Sequence, residues 1–190
     1  ALLTLEYLVR VLFNSCTPGQ CSPPGTVSVG GASSTNDVEQ WAAANSSLIL
    51  QAFPNTGFVF NGWGPPSNYS TSYTYTHTVT GPVVFTSIFA PAKRVTLLSD
   101  PPNLLVAPDR TPTRSPAEMD WGTNTRHVLG AVSPQTEPEN ASITWVFARW
   151  SNGAGMNDVY QVGSATTPET LTATFVRGVG VSFLTNPPGL

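Results

Sequence analysis

Two short stretches, "FVFNGW" at Phe58–Trp63 and "WVFARW" at Trp145–Trp150, spell nearly the same phrase 87 positions apart (145 − 58). Each sets large aromatics at alternate positions and closes on a tryptophan. Alternation at period two is the pattern of a strand with one buried face. Paired aromatics on such a strand could form a binding platform, but they are more often core material, each able to bury something like 150–250 Å². The repeated phrase therefore predicts two small β modules, each needing a core of its own.

The repetition extends on both sides. "PPGTVSV" from Pro23 answers "PPNLLVA" from Pro101. Trp41 answers Trp121 and Pro54 answers Pro134, both 80 apart (121 − 41 and 134 − 54). "VVFTSIFAP" at Val83–Pro91 answers "ETLTATFVR" at Glu169–Arg177, with Phe89 and Phe175 separated by 86 (175 − 89). The offset changes only where loops differ, as tandem homologous domains require. "VSFLTNPPGL" at Val181–Leu190 restarts "VTLLSDPPNL" at Val95–Leu104, and "LTLEY" at Leu3–Tyr7 resembles "LTATF" at Leu171–Phe175. The expected organisation is a first module over residues 1–91, a second over 92–178 and the first strand of a third over 179–190. Residues 1–8 read as the last strand of a preceding repeat, and Pro91–Arg94 as a short linker. Trp41, Trp63, Trp121 and Trp150 are the expected core anchors.

Between these anchors the pattern stays strand-like. "SLILQAFP", "SYTYTHTV" and "VVFTSIF" mix β-branched and aromatic residues, punctuated by the turn chemistry of "PNTG", "GPPSN" and "SNGAG". "SPAE" at Ser115–Glu118 is a capping box with Pro at the first helical position, but no amphipathic run follows it. That stretch is expected to be strand or irregular. The fold class is all-β: two tandem small modules, either β-sandwich (immunoglobulin-like) or β-grasp-like.

Composition narrows the function classes. Apolar residues make up 40% and charged residues only 10%, well below the roughly 25% of ordinary globular domains. With eight basic residues and a net charge of −3, no cluster exists to neutralise phosphates, so nucleic-acid binding has no electrostatic basis. No apolar run reaches the roughly 18–20 residues that span a bilayer. The nearest, "LLTLEYLVRVLF", is interrupted by Glu6 and Arg10 and lacks a signal peptide's basic start and cleavage site. The profile suits an exported polypeptide. Cys16 and Cys21 in "SCTPGQCS" flank a Pro18-Gly19 turn that would fold the two sulfurs together, predicting a loop-tip disulfide and an oxidising compartment.

The front string "PPGTVSV", the phrases "GFVFNGWG" and "WVFARWSNG", and the closing "ETLTATF" resemble the divergent internalin-type B-repeat modules of bacterial surface and secreted proteins. The resemblance covers two full copies and two partial ones. It implies small all-β modules, strung as spacers or adhesive segments, and carries over no catalytic residues. The second copy departs from the phrase with Ala148-Arg149 where the first has Asn61-Gly62. A surface glycan or protein and neighbouring repeats of the same chain are the implied partners.

Catalytic constellations are not legible. No G-x-S-x-G elbow occurs, and His77 and His127 sit in ordinary strand contexts, "YTHTV" and "TRHVL". Asp37/Glu39 and Glu118/Asp120 are the carboxylate pairs to consider for glycoside hydrolysis, and both read as solvated loop charges. No calcium loop, metal set or cofactor motif appears. Asn45-Ser-Ser, Asn68-Tyr-Ser and Asn140-Ala-Ser match the N-glycan sequon, a pattern common by chance. An intramolecular Lys–Asn crosslink would need a buried lysine, and the single lysine, Lys93, falls in the expected linker. The one candidate binding site is Tyr69, Tyr73 and Tyr75, an exposed tyrosine strand that could stack on a sugar or a partner. The expected function is a non-catalytic structural or adhesive repeat region at the bacterial surface or secreted. The alternative is a carbohydrate- or protein-binding module using that strand.

Overall fold

The computed structural model describes residues 4–13, 23–64 and 70–179. Among them every regular element is a strand except one 3-10 turn at Pro108–Arg110. The chain forms two compact units: residues 1–93 with 120–123 and 164–166, and residues 94–119 with 124–163 and 167–190.

The first unit is built from β1 (Glu6–Phe13), β2 (Gly25–Val29), β3 (Ala32–Ser34), β4 (Val38–Ala43), β5 (Ser47–Pro54), β6 (Phe58–Gly64), β7 (Thr74–Thr78) and the first half of β8 (Val83–Asp100). β1 lies between β4, antiparallel with Leu8 opposite Trp41, and β8, parallel with Val11 opposite Phe85. β6 runs antiparallel on the other side of β8, with Phe60 opposite Phe89 and Trp63 opposite Ser87. A second sheet runs in the order β3-β2-β5-β7. Alternation decides which faces meet. Leu48, Leu50 and Ala52 of "SLILQAFP" are buried, whereas Ser47, Ile49 and Phe53 are exposed. Val9, Val11 and Phe13 of one sheet share a core with Val27, Val29, Leu48 and Leu50 of the other. Phe60 stands 5.3 Å from Phe89 and 4.9 Å from Trp63, both edge-to-face. Two apolar sheet faces closed on one another make a sandwich.

The second unit takes the rest of β8 with β9 (Leu105–Val106), β10 (Thr113–Arg114), the start of β11 (Ala117–Gly122; its residues 120–122 fall in the first unit), β12 (Arg126–Gly130), β13 (Gln135–Thr136), β14 (Thr144–Trp150), β15 (Asn157–Gln161) and β16 (Glu169–Arg177). The second half of β8 pairs parallel with β16, Leu97 opposite Leu171. β16 pairs antiparallel with β14, Phe147 opposite Phe175 and Trp150 opposite Ala173, and β13 extends that sheet. β9 pairs with β10 and β12 with β15.

The two units repeat one another in pairing as well as in sequence. Val9 and Val11 on β1 correspond to Val95 and Leu97 on β8, an offset of 86 (95 − 9 and 97 − 11), and all four are fully buried. The strand carrying the aromatic phrase bulges at the same place in both, between Phe60 and Gly62 and between Phe147 and Arg149. The first bulge uses a glycine at φ +138, a conformation that excludes a side chain; the second does not. Ala148-Arg149 therefore forms its bulge from ordinary backbone.

Several expectations need correction. Pro91–Arg94 is not a linker but part of β8, and Lys93 within it is only 7% exposed. Proline fits there because the ladder is carried by its neighbours: the Ala92 N–H donates to Gly57 O at 2.8 Å. Glu6–Leu8 open β1, which pairs with β4 from Glu6 and with β8 only from Val9 onward. The Ser115–Glu118 signal gives way to β11.

Trp41 is not a core anchor. It is 64% exposed, whereas Trp63 and Trp150 are fully buried and Trp121 is 5% exposed. The 80-residue alignment of Trp41 with Trp121 is off by one. Buried Ala42 corresponds to buried Trp121, and exposed Glu39 to exposed Glu118, both at an offset of 79 (121 − 42 and 118 − 39). The backbone agrees: Ala44 N–H donates to Leu5 O and Thr123 N–H to Pro91 O, again 79 apart on the donor side (123 − 44). A one-residue shift moves a strand side chain to the opposite face.

Candidate functional site

Of the tyrosine strand, Tyr75 does not stand on an exposed face. Tyr75 lies opposite Leu50 and His77 opposite Leu48, on the side of β7 that faces the core. Both rings pack edge-on against Phe85, at 5.9 and 5.1 Å. Tyr73 is half exposed with its ring 5.7 Å from Phe60. The same period-two register turns Thr74, Thr76 and Thr78 outward instead. Against its apolar neighbours, His77 has its pKa lowered by desolvation, which disfavours the charged ring. Tyr69 lies outside the described residues, as do Cys16 and Cys21.

The strongest chemical constellation is one that motif reading passed over. His127 on β12 stands between two oxygen groups. Its Nδ1 is 2.8 Å from Asp109 Oδ2, and its Nε2 is 2.9 Å from Thr125 Oγ1. Asp109 Oδ1 also accepts the Val128 N–H at 2.9 Å. With the ring proton on Nδ1, the carboxylate accepts from the ring and the ring accepts from the hydroxyl. That order of acid, imidazole and hydroxyl is the order of a nucleophilic triad. The surroundings give it another role. His127 is on the same strand face as buried Leu129, so it closes the rim of the second unit's interior. Asp109 and Arg110 both sit in the left-handed region, at φ +48 and +65. The Asp109 carboxylate ties that costly turn to β12 through two hydrogen bonds. The cluster reads as a structural clamp. Its one sequence signal was "PDR", because aspartate tolerates the left-handed conformation better than most residues.

The carboxylate pairs are taken up by structure. Asp37 Oδ1 accepts the Phe13 N–H at 2.7 Å, Glu39 pairs with Arg10 Nε at 2.9 Å, and Glu118 pairs with Arg94 at 2.8 Å. Among the described residues no group of three or more His, Cys, Asp or Glu side chains could hold a metal ion, and no helix is long and apolar enough to cross a membrane. A shallow hollow of about 280 Å³ lined by Ser142, Ile143, Thr144, Arg177, Gly178 and Val179 offers one guanidinium and no acid–base pair.

No protein-family model matches the sequence, and no curated protein matches it. The internalin-type resemblance therefore rests on the motifs alone. Among solved structures the chain is similar to domains 3–4 of the Streptococcal High Identity Repeats in Tandem (SHIRT) from a cell surface protein. That match has 15% identity and a TM-score of 0.27, and covers 90% of this chain and 98% of that one. A Streptococcal ancillary pilin matches at 6% identity and a TM-score of 0.27, over 90% of this chain and 62% of that one. The shaft pilin SpaA from Lactobacillus rhamnosus GG, as an E269A/D295N double mutant, matches at 8% identity and a TM-score of 0.26, over 95% of this chain and all of that one. At these identities and TM-scores the likeness adds nothing to what the sheets themselves show.

Proposed function

We propose that this chain is a non-catalytic structural repeat region of a larger extracellular bacterial protein, with two sandwich modules near residues 1–91 and 92–178 and a third beginning at 179–190. It serves as a spacer or adhesive segment, secreted or at the cell surface, with neighbouring repeats as its first partners. The observation that supports this reading is the recurrence of one bulged aromatic strand, antiparallel to a strand that itself pairs parallel with a further one, in both units. A duplicated core with no shared site is what a spacer needs, because each copy resists unfolding by itself. The low charge content and the Cys16–Cys21 pair suit an oxidising, extracellular setting.

Pulling the chain between its ends in a single-molecule force experiment tests this. Two unfolding events are expected, each releasing on the order of 250–300 Å of chain at about 3.5 Å per residue. A chain that extends without resistance, or in one event of twice that length, would overturn the reading.

A further inference from the structure

We propose that Trp41, ringed by Glu39, Arg10 and Glu6, is a carbohydrate-binding platform that stacks on the apolar face of a pyranose ring. Trp41 projects from the outer side of β4 and is 64% exposed. Packing does not demand it there, since the corresponding position in the second copy of the repeat is Asp120, which is also exposed.

Register places the polar groups around the ring. Glu39 is two residues away on the same strand and therefore on the same face, roughly 7 Å along it. Leu8 is directly opposite Trp41, and Glu6 and Arg10 stand two residues to either side of Leu8, again on that face. Arg10 and Glu39 hold one another at 2.9 Å while their side chains remain 46% and 58% exposed. Ala43, opposite Glu6, presents only a methyl group beside the indole. A flat aromatic surface bordered by one guanidinium and two carboxylates matches a sugar, whose C–H face is apolar and whose rim hydroxyls both donate and accept.

Other occupants fit less well. A stable protein contact buries about 800 Å² on each side. Here the large exposed apolar groups are Trp41 and Val84, while Leu8 and Leu12 are partly covered. Nucleic acid would meet two carboxylates beside the ring instead of a basic groove. The proposal goes beyond the spacer reading and stands or falls separately from it.

The test is titration of the full chain with soluble gluco-, N-acetylglucosamine- and galacto-configured oligosaccharides, followed by tryptophan emission and calorimetry. Trp63 and Trp150 are fully buried and Trp121 is 5% exposed, so a ligand-induced emission change reports on Trp41 or on the half-buried Trp145, and its loss in Trp41→Ala assigns it to Trp41. A saturable response in at least one series is expected, with Kd on the order of 0.1–1 mM. Trp41→Ala should weaken it tenfold or more with no change in melting temperature, and Glu39→Gln should weaken it several-fold. No saturable response in any series, or a response that survives Trp41→Ala, overturns the proposal. So does concentration-dependent self-association that Trp41→Ala abolishes, which would make a second copy the occupant.

Discussion

Trp63 and Trp150 lie at corresponding positions of two strands that bulge at the same place, yet of the two only Trp63 has a hydrogen-bond partner for its indole N–H. Trp63 Nε1 donates to Ser72 O at 3.1 Å, whereas Trp150 Nε1 is buried with no partner among the described residues. The following loop explains the difference. From Trp63 to the start of β7 the chain has eleven positions (74 − 63), and from Trp150 to the start of β15 only seven (157 − 150). The longer loop returns a carbonyl to the indole; the shorter one turns directly, with the Gly153 N–H on Trp150 O.

Emptying either site should be costly. Trp63→Ala and Trp150→Ala should each lose about 3–5 kcal/mol, the range for a large buried aromatic. The Phe substitutions separate the two. Trp63→Phe forfeits a hydrogen bond and should cost about 1 kcal/mol more than Trp150→Phe, which removes an unpaired buried donor. Urea unfolding of the four variants measures this, and equal losses for the two Phe variants would show that the Ser72 contact contributes nothing.

Asp109 should matter through the turn it holds. Asp109→Ala removes two acceptors at once and leaves a left-handed alanine, so a loss of about 1–3 kcal/mol is expected. Asp109→Asn keeps an acceptor for the Val128 N–H and tolerates the conformation, so it should lose clearly less. Chemical denaturation that ranks the two the other way would remove the clamp role.

Acid should loosen the first unit through His77. Its folded pKa lies below the ordinary 6.5 because apolar rings disfavour the imidazolium. The unfolded chain thus binds this proton at higher pH than the folded chain. The stabilising contribution is complete above about pH 6.5 and is lost as pH falls from there through the folded-state pKa. His77→Gln should flatten stability between about pH 7.5 and 5.5, above the carboxylate range. An unchanged slope in denaturant melts across that window would exclude His77 as its source.

Lys93 offers a direct probe of β8. It is the single lysine of the chain and is 7% exposed. Acylation of its amine should be roughly tenfold or more slower in the native protein than in urea, because reaction requires local opening. Mass mapping after timed labelling gives the ratio. Equal rates would mean that Pro91–Arg94 is open to solvent after all.

Strand content and duplication were legible in the chain because both are local properties. Alternating side chains in "SLILQAFP" and the phrase closing at Trp63 and Trp150 state which faces are apolar, and low charge with frequent Gly and Pro states where strands stop. "VEQWAA" even held the orientation of Trp41, since exposed Glu39 two residues before it shares its face. What the chain alone could not state was register between distant strands. Whether Tyr75 looks outward depends on its pairing with Leu50, 25 residues earlier (75 − 50). Whether Pro91–Arg94 is a linker depends on β6 pairing along β8 as far as Phe58 opposite Pro91. The joining of Asp109 to His127, 18 residues apart, depends on where a left-handed turn meets β12. Sequence period sets the face a residue takes relative to its neighbours, and only long-range pairing decides which of the two faces becomes the interior.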